Sequence, residues 1–170
     1  ITAMTPVFGD GQRPSYYVAC RGHHADVGGL TPGSMPPFSR EIGEEGLRLR
    51  NWSLLRGGRL DVDGWKAILK AERQPPRSPD VLWADLQAQV AANRLGVDHL
   101  EQLMLREGPR RVSCYMGFVQ SHAAESVRRL ISRLADQTFS VELDHGGRLE
   151  LALHVDHNAR TACLDFTGTS

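Results

Sequence analysis

Apolar residues recur along this chain with two different periods. In the last third the period is two: Phe139, Val141 and Leu143, then Leu149, Leu151, Leu153 and Val155, then Ala162, Leu164 and Phe166. Alternation of this kind predicts three strands. The turn-forming runs Asp144 to Gly147 and Asp156 to Asn158 separate them, so the expected arrangement is a three-stranded antiparallel meander with His145 and His157 at its turns. Upstream the period becomes helical. Val112, Met116, Val119, Ala123, Val127, Leu130 and Leu134 step by fours and threes, the spacing of a seam buried between packed helices. Ser78 followed by Pro79 predicts a second long helix. Its apolar positions are Val81, Leu82, Leu86, Val90 and Val97; Gly96 marks a kink or end, and Asp98 with Glu101 a capping-box restart. Gly108-Pro109 divides the two helices, which are expected to lie antiparallel with the seam as intramolecular core.

The first half of the chain is more broken. Thr5 to Phe8 and Ser15 to Cys20 flank the turn composition Gly9-Asp10-Gly11 and predict a hairpin. Leu47 to Leu55 alternates unevenly and predicts a further strand ending at Arg56-Gly57-Gly58, and Asp63 to Glu72 predicts a short helix. The expected fold class is α+β: strands around a His/Asp/Gly-rich loop, two long antiparallel helices and the C-terminal meander. Residues 1–170 are expected to form one domain. The opening Ile1-Thr2-Ala3 without an initiating Met, and an end just after Gly168, lead us to expect an excised part of a larger fold.

Charge narrows the function classes. Lys plus Arg and Asp plus Glu both number 20, and no basic stripe occurs, so neither a nucleic-acid nor a membrane-surface partner is expected. Three widely spaced cysteines, Cys20, Cys114 and Cys163, suit free thiols in a reducing compartment. With no signal peptide or long apolar run, cytoplasm is the expected location.

The densest chemistry lies in Arg21 to Pro37, RGHHADVGGLTPGSMPP. His23, His24 and Asp26 offer imidazole and carboxylate groups suited to zinc, manganese or iron; a His beside an Asp is also an ordinary hydrogen-bonded anchor for a turn. Gly28 and Gly29 can present consecutive amides to an anion. Pro32, Pro36 and Pro37 stiffen the loop, and Thr31 and Ser34 suit either a substrate contact or turn chemistry. Asp85, Gln89 and Asn93 are spaced i, i+4 and i+8, one row on a helix face. That row is either solvated or, beside the small Ala84, Ala88, Ala91 and Ala92, a place where amide groups are bound. Arg21 can pair with a substrate carboxylate or with Glu44 or Glu45. Cys20, without a clear His partner, reads as a buried small residue.

Four ordered motifs carry a resemblance: the loop itself, Glu44-Glu45-Gly46, the helix segment DLQAQVAAN from Asp85 to Asn93, and DFTGT from Asp165 to Thr169. Together they resemble the hydantoinase B/5-oxoprolinase family, and the paired His resembles its 5-oxoprolinase branch. The resemblance implies ATP-coupled opening of 5-oxo-L-proline to L-glutamate. It also implies a division of labour: a hydantoinase A-type region or subunit, absent here, binds ATP and Mg, and the B-type region completes hydrolysis of the activated lactam. No GxxxxGK[ST] loop occurs in this chain. By resemblance to metal-containing relatives such as acetone carboxylase, His23 and Asp26 map to a divalent-metal site, with Glu45 as the expected third ligand. His24 stands where many relatives have Trp, and it and Asp85 are the expected catalytic groups. Arg21, Gly28, Gly29, Gln89 and Asn93 are the expected substrate contacts. Leu82 and Gln87 replace the Asn and Arg usual in the family helix. The intact protein is expected to be a homo-oligomer acting on a small cyclic amide. The alternatives are an N-substituted hydantoinase B subunit, a bicarbonate-using carboxylase, and a non-catalytic module that docks the ATPase half.

Overall fold

The computed structural model describes residues 1–9, 11–33, 36–144 and 146–170; the expectations for Ser34 and His145 lie outside them. The chain divides into two compact units, Ile1–Gln102 and Leu103–Ser170.

In the first unit, β1 (Thr2–Phe8) and β2 (Pro14–Arg21) form the expected hairpin, antiparallel from Thr2↔Arg21 to Phe8↔Pro14 with an irregularity between Val7 and Phe8. Ala3 pairs with Cys20, Thr5 with Val18 and Val7 with Tyr16. These pairs are the more buried half of each strand's alternation, so the register turns one face inward, as a period of two requires. The predicted strand over Leu47 to Leu55 does not form. Only β3 (Leu55–Arg56) and β4 (Arg59–Leu60) pair, around Gly57-Gly58. Asn51 adopts a φ of 46°, which breaks an extended path, and Leu47 and Leu49 bury themselves in the core instead of in a sheet.

That core gathers Leu47, Trp65, Leu82 and Leu86, with Val27, Trp52, Ile68, Leu69 and Trp83 against it. Trp65 stacks on Trp52 at 6.1 Å and on Trp83 at 5.6 Å between ring centroids. It sits on α1 (Val62–Ala71), close to the predicted helix, whose N-cap Asp61 accepts from Gly64 N at 3.0 Å and from the Trp52 indole at 3.2 Å. One carboxylate therefore starts the helix and orients the first ring of the stack.

The longest element is α2 (Pro79–Glu107). It runs unbroken through Gly96, so the predicted kink and restart at Asp98 are absent. Gly96 instead serves close packing: a Cβ there would lie 2.8 Å from Val18 Cγ1, which shows how tightly β2 approaches the helix.

In the second unit, α3 (Pro109–Ile131) starts from Gly108 with Pro at its first turn. β5 (Gln137–Glu142), β6 (Arg148–Asp156) and β7 (Thr161–Asp165) form the predicted antiparallel meander. Glu125 on α3 accepts from Arg160 Nη1, in the β6–β7 turn, at 2.8 Å. The α3 seam departs from expectation. Val112 is buried, but Met116, Val119, Val127 and Leu130 are exposed, Val119 by 67 %. Periodicity identified an apolar face correctly and its burial wrongly. Among the described residues no helix is long and apolar enough to cross a membrane.

Trp65, only 5 % exposed and stacked on both sides, carries most of this core. Trp65→Ala is expected to destabilise the first unit by about 3–5 kcal/mol, with Trp65→Phe costing less, as read by denaturant unfolding followed through tryptophan fluorescence.

Candidate functional site

The loop after β2 folds back onto two other segments, and its amides show how. Gly22 N donates to Ile1 O at 3.0 Å, Gly29 N to Gln74 O at 2.9 Å, Leu30 N to Glu44 O at 2.9 Å and Gly33 N to Ala25 O at 2.8 Å. Gly28 N donates to Asp26 Oδ1 at 2.8 Å. The anion nest suggested for Gly28 and Gly29 is therefore not what this geometry provides, because both amides are already donated within the fold. The glycines are needed for another reason. Their φ values are 89° and 82°, and a Cβ would collide with the Gln74 carbonyl oxygen at Gly28 and with the Glu44 carbonyl oxygen at Gly29. Backbone passes against backbone on both sides of the pair.

His24 is turned inward, 8 % exposed, and its Nδ1 lies 3.2 Å from Asp85 Oδ2. A carboxylate accepts, so Nδ1 is the donor in this contact. Nε2 is buried without a partner among the described residues. The ring rests beside Gly22, where a Cβ would stand 3.5 Å from His24 Nε2 and 3.3 Å from Gln89 Nε2. An imidazole oriented by a carboxylate is one part of what general-base chemistry uses; here the other nitrogen is shielded from solvent. His23, one residue earlier, is exposed.

Asp26 goes elsewhere. Its Oδ1 accepts from Gly28 N and from Arg77 Nη1, both at 2.8 Å, and its Oδ2 accepts from Arg77 N at 2.7 Å. Burial alone would raise this carboxyl's pKa; the Gly28 and Arg77 amides and the Arg77 guanidinium outweigh it and hold the group below its ordinary range. Glu45 Oε1 accepts from the Ser39 hydroxyl at 3.5 Å. Among the described residues no three His, Cys, Asp or Glu side chains converge. The expected trio of His23, Asp26 and Glu45 thus does not fit a divalent metal as a ligand set: the carboxylate proposed for it is already saturated with donors from its own fold.

The row on α2 faces the hairpin. Gln89 Nε2 donates to Ile1 O at 3.1 Å and to Cys20 O at 3.3 Å; Asn93 Nδ2 donates to Ala3 O and Thr5 Oγ1, both at 3.1 Å. Gln89 and Asn93 are 6 % and 2 % exposed, so these two are closed to solvent with their amide nitrogens engaged by Ile1, β1 and β2, whereas the Asp85 side chain is 46 % exposed. Gln89 Oε1 and Asn93 Oδ1 have no partner among the described residues. Arg21 donates from Nε to Thr2 Oγ1 at 2.9 Å, where the sequence favoured a bridge to Glu44 or Glu45; Glu44 instead accepts from the Arg40 and Glu41 amides at 2.7 and 3.4 Å. Asp165 closes a local turn with Thr167 N and Oγ1 at 2.9 and 2.6 Å. The structure thus brings His24 and Asp85 together. It adds one residue that sequence reasoning missed, Arg77, whose partner lies 51 positions away and which no local pattern marks.

The site is thus a histidine held on a carboxylate, in a glycine-tight loop packed on one long helix of an α+β unit. The chain matches the hydantoinase B/oxoprolinase family over residues 1–170 and belongs to it. It is 36 % identical to 5-oxoprolinase 1 of Arabidopsis thaliana, over 100 % of this chain and 15 % of that protein. To the 5-oxoprolinase of Dictyostelium discoideum it is 34 % identical, over 99 % and 14 %. The crystal structure of the ATP-dependent caprolactamase from Pseudomonas jessenii superposes with a TM-score of 0.71 at 26 % identity, covering 96 % of this chain and 28 % of that one. The family is one of cyclic amide hydrolases, and the chain spans 14–15 % of the length of these curated 5-oxoprolinases.

The depressed Asp26 pKa fixes a sign. Because the folded pKa lies below the unfolded value of about 3.9, the stabilisation is complete above that value and is lost as pH falls through the folded one. Asp26→Asn is expected to be less stable than the parent at pH 7, by roughly 1–3 kcal/mol, and to converge on it in acid-unfolding curves as pH falls through the folded-state pKa.

Proposed function

We propose that this chain is part of an ATP-dependent 5-oxoprolinase, its B-type region hydrolysing the activated lactam of 5-oxo-L-proline to L-glutamate. The observation that carries the reading is the His24–Asp85 pair with its free, buried Nε2, set in a chain whose curated relatives include 5-oxoprolinases at 31–36 % identity. An amide resists water. Phosphorylation of the amide oxygen by an A-type ATPase region, supplied by the rest of the protein or by a partner subunit, makes the ring carbon electrophilic and phosphate a leaving group. His24 Nε2 takes the proton from the attacking water as the new C–O bond forms. Asp85 holds the imidazole in the required tautomer and stabilises the cation that results. Return of that proton to the ring nitrogen lets the ring C–N bond break and leaves an acyl phosphate, which a second water hydrolyses to phosphate and L-glutamate.

A second reading is favoured by the caprolactamase likeness, which includes 30 % identity to caprolactamase subunit beta over 79 % of this chain: the same dyad would act on a larger lactam. Hydantoins form the third substrate class to compare.

The test uses the intact protein with its ATPase region. Glutamate and phosphate release are measured with 5-oxoproline, caprolactam and an N-substituted hydantoin. 5-Oxoproline is expected to give the highest kcat/KM. His24→Gln and Asp85→Asn are each expected to lower kcat by about 10²–10⁴-fold while ATP binding persists. Wild-type ring opening in both variants would remove the dyad from the mechanism.

A further inference from the structure

Arg77 makes three contacts with one loop. Its backbone N donates to Asp26 Oδ2 at 2.7 Å, Nη1 to Asp26 Oδ1 at 2.8 Å and Nη2 to Gly29 O at 2.8 Å. A fork this complete fixes direction as well as distance, which a lysine's point charge cannot do. The positions it joins matter. Asp26 stands two residues after His24, and Arg77 stands two residues before Pro79, where α2 begins. Asp85 lies farther along that helix. Loop and helix are thus tied at two places, Asp26 to Arg77 and His24 to Asp85, and the second tie is one 3.2 Å hydrogen bond. With the first tie cut, that bond, the Gly29 N to Gln74 O bond and the packing of Val27 on the core containing Leu82 and Leu86 would be left to register the loop on the helix start.

The guanidinium also fills the place beside Asp26 that a cation would take. A metal there would have to displace Nη1 and leave the Arg77 charge beside its own. We propose that Arg77 is the positioning residue of this site, latching the loop through Asp26 and Gly29 so that His24 is held on Asp85, and that Asp26 is the latch's anchor and not a metal ligand. The catalytic consequence rests on the function proposed above; the latch itself does not.

The test reads His24 directly. The intact protein, as wild type, Arg77→Ala, Arg77→Lys, Asp26→Asn and the Arg77→Ala/Asp26→Asn double variant, is treated with diethylpyrocarbonate. Carbethoxylation of His24 is mapped by tandem mass spectrometry and normalised to the exposed turn residue His157. His24 is expected to be protected in wild type and to react about tenfold faster in Arg77→Ala and Asp26→Asn through local opening, with Arg77→Lys between them and wild type. The double variant is expected to fall short of the product of the two single effects, since both remove the Asp26–Arg77 ion pair. Should Arg77→Ala fail to fold, Asp26→Asn and Arg77→Lys carry the comparison. His24 reactivity at the wild-type level in the folded variants, or effects that multiply in the double variant, would overturn the latch.

Kinetics form the second readout: kcat is expected to fall by about ten- to a hundredfold as His24 loses its alignment, with KM for the lactam nearly unchanged. If wild type opens none of the three ring types but His24 protection follows Arg77, the functional reading falls and the latch stands. If a lactam is opened but neither protection nor kcat follows Arg77, the latch falls and the functional reading stands.

Discussion

Three polar side chains at successive turns of α2 hold the first unit together. Asp85 meets His24, Gln89 meets the carbonyls of Ile1 and Cys20, and Asn93 meets Ala3 and Thr5. Apolar packing of the hairpin against the helix would tolerate a sliding fit. Buried amides do not, because a donor displaced from its carbonyl in a dry interior costs about 1–3 kcal/mol. The row therefore sets both the height of the hairpin along α2 and its rotation about it. The loop that follows β2 inherits that placement, and the imidazole reaches its carboxylate because the two turns beyond it are already pinned.

The loop is held from its other side by shape. Gly28 and Gly29 let the strands of chain at Gln74 and Glu44 pass within contact of the backbone, and each passing strand accepts an amide hydrogen bond from the loop. A loop fastened in this way loses little entropy when a ligand arrives, because most of the ordering cost was met on folding. Preorganisation of this kind is what a base needs if it is to act on water at a fixed position.

Much of this was legible from residues alone, and the reasons differ by element. The meander and the β1–β2 hairpin follow from alternation bounded by Gly, Asp and Asn, and α1 follows from its spacing and the prolines beyond it. Periodicity also found the apolar face of α3, but a period says which side of a helix is greasy and not what, if anything, lies against it; Val119 and Val127 are exposed. Leu47 to Leu55 has strand composition, yet Asn51 turns the chain and the leucines go to the tryptophan stack. Within the site, His24 with Asp85 was reachable because both lie in recognisable motifs. The partner of Asp26 was not legible for a related reason: the spacing of donors shows which groups are available, whereas the cation beside them, here Arg77, is supplied from far along the chain.

The contact between Gly96 and Val18 ties two positions into a single volume. With only 2.8 Å between the valine methyl and where a Cβ would stand, neither site can grow unless the other shrinks, since a close-packed interior has no slack to share. Drift at these two positions should therefore be correlated among relatives: a larger residue at 96 accompanied by a smaller one at 18, with the helix and the hairpin changing as one object.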